Sequence, residues 1–167
     1  MLKSIVPALF VLCIGVFAAG CSSDTTMSVM LPDLPPCPGP NCNCSDGDND
    51  CTCQSRSECA LECADGCNFD CEEDSTCAAA AGNDAILECV EDTTCTLYAG
   101  TNSTVRCAAA NCTIEVGDGS NVSCRDRGRC EVTCTGSCSV SCEGDSTQCL
   151  YRCGADGELM DGPGGCE

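Results

Sequence analysis

The 167-residue sequence contains no histidine and no tryptophan, and its single lysine, Lys3, lies in an N-terminal apolar segment. Without histidine the chain can form neither a Ser-His-Asp nor a Cys-His catalytic site, and it has no imidazole metal ligand. Once the N-terminal segment is removed, no lysine is left for a Schiff base or a phosphate-binding P-loop. We therefore expect that the protein is not an enzyme.

Large apolar residues and positive charges are also scarce. From Cys37 to the end, only 17 of 131 residues are Leu, Ile, Val, Met, Phe or Tyr. A stretch of this composition cannot bury enough apolar surface to offset its ordering entropy, so without cross-links we expect it to be disordered. The net charge of −19 disfavours binding to nucleic acid.

Cysteine is the residue that the chain has in excess, with 24 in total. This density is typical of exported domains whose fold depends on disulfide bonds. Without Cys13, in the apolar segment, and Cys21, directly after it, an even number remains. An oxidising compartment can therefore pair all of them.

The N-terminal segment predicts export. Residues 1–20 have one positive charge, an apolar run too short to span a membrane, and small residues at the end, as in a secretory signal peptide. The sequence Ala18-Ala19-Gly20-Cys21 resembles the lipobox of bacterial lipoproteins, with Ala where Leu is usual. The resemblance implies that Cys21 carries lipid, including palmitate, and anchors the protein in the outer membrane or at the cell surface. Ordinary secretion after cleavage near Ala18 is the alternative. Residues 21–36 are predicted to form a lipidated flexible tether.

Two columns of cysteine recur every 17 to 19 residues. The distance from a second-column cysteine to the next first-column cysteine is always 12 residues, whereas the remaining gap varies from 5 to 7. The constant segment is therefore a structural unit and the variable one a loop. The first column is Cys53, Cys71, Cys89, Cys107, Cys124 and Cys142, and the second is Cys59, Cys77, Cys95, Cys112, Cys130 and Cys149.

The constant segment alternates apolar and polar residues around a three-residue turn that contains glycine. In one repeat, Cys112, Ile114 and Val116 precede the turn 117–119, and alternation resumes after it. This pattern predicts strand, turn and strand. We predict an all-β fold, a narrow, disulfide-stapled β-solenoid of about six coils of about 18 residues, low in hydrophobic core. The solenoid occupies residues 53–153, between a cysteine-rich N-terminal cap (37–52) and a C-terminal cap (154–167).

A helix is the competing interpretation, because some cysteines lie four residues apart and would share one helix face. The run from Cys130 to Cys142 is rich in serine and β-branched residues and contains a central glycine. These residues favour a strand over a helix.

The repeat also predicts which cysteines pair. First- and second-column cysteines always occur together, which predicts one bond across each loop. Two further pairs, Cys63–Cys67 and Cys134–Cys138, are expected beside the tight turn, because both cysteines are present in these two coils and both are absent in the three coils between them. Cys153 has no such partner and is expected to bond to Cys166. The cap cysteines allow three connectivities, of which Cys37–Cys42 with Cys44–Cys51 is the simplest.

Metal binding is the alternative function. Asp46, Asp48 and Asp50 have the alternating spacing of a Ca²⁺ loop, but the glycine and the bidentate glutamate of an EF-hand are missing. The stretch therefore predicts either a Ca²⁺ site or a solvated acidic loop. Cys42-Asn43-Cys44 resembles metallothionein spacing, so soft metals bound by thiolates are a second possibility.

Disulfide-stapled solenoids with Thr-Cys-Thr rungs are known among insect antifreeze proteins, and Thr94-Cys95-Thr96 resembles one rung. Ice binding is thus a minor alternative, since the resemblance concerns fold rather than function. The sequence favours a surface-anchored lipoprotein that acts as a structural, adhesive or protective module. Its expected contact is the membrane, through the N-terminal lipid, and its protein or surface partner stays unidentified.

Overall fold

The computed structural model describes residues 36–44 and 49–167, and all the secondary structure in these ranges is β. The signal segment, Cys21, the tether up to residue 35 and the acidic residues Asp46 and Asp48 lie outside the described residues. Within the described ranges, no helix is long and apolar enough to cross a bilayer.

The strands of the described ranges are short, with two to six residues each. They are β1 (Cys42–Cys44), β2 (Asp50–Cys53), β3 (Glu58–Cys63), β4 (Asn68–Cys71), β5 (Thr76–Ala81), β6 (Ile86–Val90), β7 (Thr94–Ala99), β8 (Thr104–Ala108), β9 (Asn111–Val116), β10 (Ser120–Arg125), β11 (Arg129–Cys134), β12 (Cys138–Glu143), β13 (Gln148–Cys153), β14 (Met160–Asp161) and β15 (Gly164–Cys166).

The strands form two sheets, and the chain alternates between them. One sheet has the order β1-β2-β4-β6-β8-β10-β12-β15, and the other has the order β14-β13-β11-β9-β7-β5-β3. Between β2 and β13 all neighbours in each sheet are parallel and in register, so that Cys77 lies beside Cys95 and Cys95 beside Cys112. The prediction of a β-solenoid with about six coils and a repeat near 18 residues is confirmed, and the helical interpretation is wrong.

Alternation along each strand sends one set of side chains into the interior. In the seven-stranded sheet, Leu61, Leu97 and Ile114 occupy one inward column and are at most 1% exposed. In the eight-stranded sheet, Phe69 and Leu87 occupy the facing column and are fully buried. Apart from cysteine, the strands from β3 to β12 bury at most one Leu, Ile, Val or Phe each, except β9, which buries Ile114 and Val116.

The tight turns depend on residues that tolerate a left-handed backbone. One turn position has positive φ in four successive coils, with values of 72° at Gly66, 57° at Asp84, 56° at Asn102 and 71° at Gly119. Glycine, asparagine and aspartate adopt this conformation most easily, which explains why these types occupy the position in those four coils. Stacking there is close, since a Cβ added to Gly117 would lie 2.8 Å from the carbonyl carbon of Gly100.

Both ends of the parallel stack are closed by antiparallel strands. β1 pairs with β2 at the N-terminal end, while β15 pairs with β12 and β14 with β13 at the C-terminal end. Pro36 bridges to Ala60, and the backbone N–H of Cys37 donates to the carbonyl of Ala60 at 2.7 Å. These contacts cover edges that would otherwise offer unpaired backbone groups to other chains.

Candidate functional site

The most regular chemical feature is the double column of cysteines along the interior. First-column cysteines lie on the eight-stranded sheet and second-column cysteines on the seven-stranded sheet. A disulfide crosses each loop between them, with Cα–Cα distances from 6.0 to 6.7 Å. Packed sheets usually lie about 10 Å apart, so these bonds hold the edge of the solenoid unusually thin. The bonds are Cys53–Cys59, Cys71–Cys77, Cys89–Cys95, Cys107–Cys112, Cys124–Cys130 and Cys142–Cys149.

Two further disulfides close the tight turn on the opposite edge. Cys63 bonds to Cys67 and Cys134 to Cys138, with Cα–Cα distances of 6.2 and 5.9 Å. In the coil after Cys63 the matching residues are Ala81 and Ala85, so the tight turn of that coil has no disulfide.

In the middle coils, buried serine replaces the second cysteine of the turn. The backbone N–H of Ala85 donates to the hydroxyl of Ser103 at 3.2 Å, and the N–H of Ser103 donates to the hydroxyl of Ser120 at 3.1 Å. Both serines are at most 1% exposed. Sequence reasoning missed these bonds, because serine in a turn is equally typical of a solvated loop.

The ends of the solenoid contain the remaining disulfides. At the N-terminal end, Cys37 bonds to Cys42 and Cys44 to Cys51. The Sγ atoms of Cys37 and Cys44 lie 3.3 Å apart. At the C-terminal end, Cys153 bonds to Cys166 with a Cα–Cα distance of 5.6 Å.

The sulfur atoms of successive bonds are near neighbours. In residues 36–44 and 49–167, four groups of three sulfurs have all members within 4.8 Å of one another, but each of these sulfurs belongs to a disulfide. A disulfide sulfur has no thiolate charge to offer a soft metal, so metal binding here would require reduction first. The groups are Cys37, Cys44, Cys51; Cys71, Cys77, Cys95; Cys89, Cys95, Cys112; and Cys134, Cys138, Cys166.

Acidic side chains gather on the outer face of the eight-stranded sheet near its N-terminal end. Asp70 and Glu88 are register neighbours, and Arg106 follows them with its Nη1 3.8 Å from a Glu88 carboxylate oxygen. Partial burial, followed by the charges of Glu88, Asp50 and Glu72, raises the pKa of Asp70. Asp50 is exposed at the start of β2, and its charge acts on Asp70.

A second acidic feature links the tight turns. The Asp65 carboxylate accepts from the backbone N–H of Asn83 at 2.7 Å, and the Asn83 amide oxygen accepts from the N–H of Thr101 at 2.9 Å. One coil later, the Asp118 carboxylate accepts from the Ser137 hydroxyl at 2.6 Å and from its N–H at 2.9 Å. The hydroxyl bond, followed by the N–H bond, lowers the pKa of Asp118. These side chains therefore act as acceptors that hold neighbouring coils together.

The threonine rung lies on the outer face of the seven-stranded sheet. Ala60, Ala78, Thr96, Thr113 and Glu131 follow one another in register on this column, and Leu150 ends it. Only two of these positions hold threonine, so the column presents no regular array of hydroxyl and methyl groups.

The chain matches no protein-family model, and no curated protein or solved structure is similar to it. The functional interpretation therefore depends on the residues of this chain alone.

Proposed function

We propose that the protein is an exported structural module, anchored by lipid at Cys21, whose stapled solenoid forms a rigid protective or adhesive element at a cell surface. The observation that carries this proposal is the disulfide bond across every loop of the solenoid, with eleven disulfides among the described residues. A scaffold of this kind suits a mechanical or shielding role, since a covalent bond closes each loop that leads from a first-column to a second-column cysteine.

The disulfides can replace the hydrophobic core that the composition does not supply. Closing a loop of four to seven residues stabilises the folded state by about 2 kcal/mol in the chain-entropy model. Small domains commonly depend on such cross-links when their apolar interior is thin. The exterior is strongly acidic, which favours solubility and hydration of an exposed surface.

Reduction tests whether the disulfides stand in for a core. We expect full reduction under non-denaturing conditions to convert the domain to a disordered acidic chain, because little apolar burial remains to offset its entropy. Far-ultraviolet circular dichroism of oxidised and reduced protein at the same temperature measures the change. A reduced chain that keeps its β signal and melts cooperatively would show that the apolar columns suffice, and the scaffold proposal would lose its basis.

The anchor requires a separate test. Cys21→Ser should abolish palmitate labelling and move the protein from the membrane fraction to the soluble fraction, because the lipid is attached at this thiol. Cys13→Ser is the matched control, since Cys13 lies within the predicted signal segment and its loss should change neither result. Membrane association that survives Cys21→Ser would contradict lipid anchoring at this residue, while leaving the scaffold role open to the reduction experiment.

A further inference from the structure

Four cysteines meet at the C-terminal end of the solenoid, in two disulfides. Cys134 bonds to Cys138 beside the last tight turn, and Cys153 bonds to Cys166 in the tail. The Sγ atoms of Cys134, Cys138 and Cys166 lie within 4.8 Å of one another. The Cys166 sulfur of the tail disulfide therefore lies close to the Cys134–Cys138 bond.

Exposure distinguishes this cluster from the cysteines of the middle coils. Cys153 is exposed at the end of β13, and Cys166 is partly buried. By contrast, the six cysteines of the three bonds from Cys71–Cys77 to Cys107–Cys112 are at most 4% exposed. A dissolved thiol can therefore approach Cys153 without any opening of the fold, which the middle bonds would require.

The strand register gives the same four sulfurs a second set of partners. Cys134 lies beside Cys153 in the parallel pair β11 and β13, and Cys138 lies opposite Cys166 in the antiparallel pair β12 and β15. Residues in register on neighbouring strands have Cα atoms about 4.5 to 5.5 Å apart, within the range that a disulfide spans. Both pairings are thus compatible with one backbone.

We propose that Cys153 is a site of attack by low-molecular-weight thiols, and that this attack interconverts two disulfide pairings of the C-terminal cluster. The staple pairing is Cys134–Cys138 with Cys153–Cys166, and the ladder pairing is Cys134–Cys153 with Cys138–Cys166. The ladder pairing ties β11 to β13 and β12 to β15 covalently, and so locks the C-terminal cap onto the last coils.

The interchange needs three thiolate attacks and no oxidant. A thiolate RS⁻ attacks the Cys153 sulfur, forms RS–Cys153 and releases the Cys166 thiolate. This thiolate attacks the Cys138 sulfur, forms Cys138–Cys166 and releases the Cys134 thiolate. The Cys134 thiolate then attacks Cys153, forms Cys134–Cys153 and releases RS⁻, so the number of disulfides is unchanged.

One proteolytic cut distinguishes the two pairings. The oxidised full chain is incubated with 2-mercaptoethanol, a neutral thiol that the acidic surface does not repel. The sample is then acidified, alkylated, unfolded and digested with trypsin. In the staple pairing, peptide 153–167 carries its own disulfide and is released free after cleavage at Arg152. In the ladder pairing it stays joined to peptide 130–152, which Cys124–Cys130 links to peptide 107–125, and non-reducing mass spectrometry detects the combined mass of the three. We expect loss of the free peptide and gain of the joined form with time, only when the thiol is present.

The same digest reports scrambling elsewhere. Cleavage at Arg106 separates peptides 57–106 and 107–125, which share no disulfide in the structure and should stay separate under the same treatment.

The variant Cys134→Ala with Cys138→Ser, which copies Ala99 and Ser103, removes the acceptor bond. It should retain the thiol adduct on Cys153 and form no joined peptide. A free 153–167 peptide after thiol treatment of the unaltered chain would overturn the proposal. Joined peptides that appear together with a link between 57–106 and 107–125 would also overturn it, because they would indicate general unfolding.

Discussion

The backbone N–H of Ser103 donates a hydrogen bond of 3.1 Å to the hydroxyl oxygen of Ser120, one coil further along the solenoid. The same hydroxyl donates to the carbonyl of Gly100 at 3.1 Å. Ser120 therefore bridges two backbone groups of the preceding coil, in the part of the tight turn where other coils have a disulfide. Along this edge, disulfides close the tight turns of the first and fifth coils, whereas serine hydroxyls join successive coils between them.

Removal of the Ser120 hydroxyl should weaken this junction. We expect Ser120→Ala to leave the buried N–H of Ser103 without a partner, at a cost of about 1–2 kcal/mol. Because a repeat protein opens locally, amide hydrogen exchange at Ser103 is the appropriate measurement, and its protection should fall by about five- to thirty-fold. Ser139→Ala, on the exposed face of β12, is the control and should change nothing. Unchanged protection at Ser103 would mean that the hydroxyl contributes no stability to the turn.

The turn staples should be dispensable as pairs. Cys63 lies beside Ala81 in register, and the coil that contains Ala81 and Ala85 folds without a disulfide at its tight turn. We therefore expect Cys63→Ala with Cys67→Ala to keep the β signal and to lose about 2 kcal/mol of stability, the entropy of one short closed loop. Circular dichroism, denaturant unfolding and a free-thiol assay measure the outcome.

Two comparisons make this result interpretable. Cys63→Ala alone leaves an unpaired thiol at Cys67, and we expect disulfide-linked dimers or misfolding on a non-reducing gel. Cys89→Ala with Cys95→Ala should lower the stability more than the Cys63 and Cys67 double change. A disulfide crosses this loop in every coil, whereas several coils fold without the disulfide at the tight turn. A Cys63 and Cys67 double variant that fails to fold would show that the first coil needs its staple for a reason that the later coils do not share.

The sequence was informative where a one-dimensional pattern has a direct structural meaning. The 18-residue period and the alternation within it predict the coils and the burial of residues such as Leu97 and Ile114, because strand side chains point alternately to the two faces. The paired presence of Cys63 and Cys67 likewise indicates a local bond, and the structure has that bond.

Contacts between coils could not be predicted from the sequence in the same way. Serine and aspartate are also common in solvated turns, and the acceptor role of four such side chains depends on which backbone N–H of a neighbouring coil lies beside each oxygen. These residues are Ser103, Ser120, Asp65 and Asp118. That alignment is a property of the stacked structure and not of any single repeat. For the same reason, the acidic environment of Asp70 becomes visible only once β2, β4 and β6 are in register.

The carboxyl group of Asp70 gives a prediction for the pH dependence of stability. Partial burial and the neighbouring charges of Glu88, Asp50 and Glu72 raise its pKa above the ordinary value of 3.8. The folded state therefore disfavours the charged form relative to the unfolded state. The stability that the protonated group contributes is fully present below pH 3.8 and is lost as the pH rises through the raised pKa of the folded protein.

Asp70→Asn removes this charge and should therefore raise the thermal midpoint of the oxidised protein at neutral pH. The gain should stay within about 0.5 kcal/mol, because solvent screens a partly exposed carboxylate. At a pH well below 3.8 the Asp70 carboxyl is protonated in both states, so the variant and the unaltered protein should melt together. Asp156→Asn, in the C-terminal cap, controls for the loss of one negative charge. A midpoint that falls at neutral pH, or a difference that persists unchanged in acid, would contradict the assignment, because electrostatic relief at Asp70 must disappear when its carboxyl group is neutral.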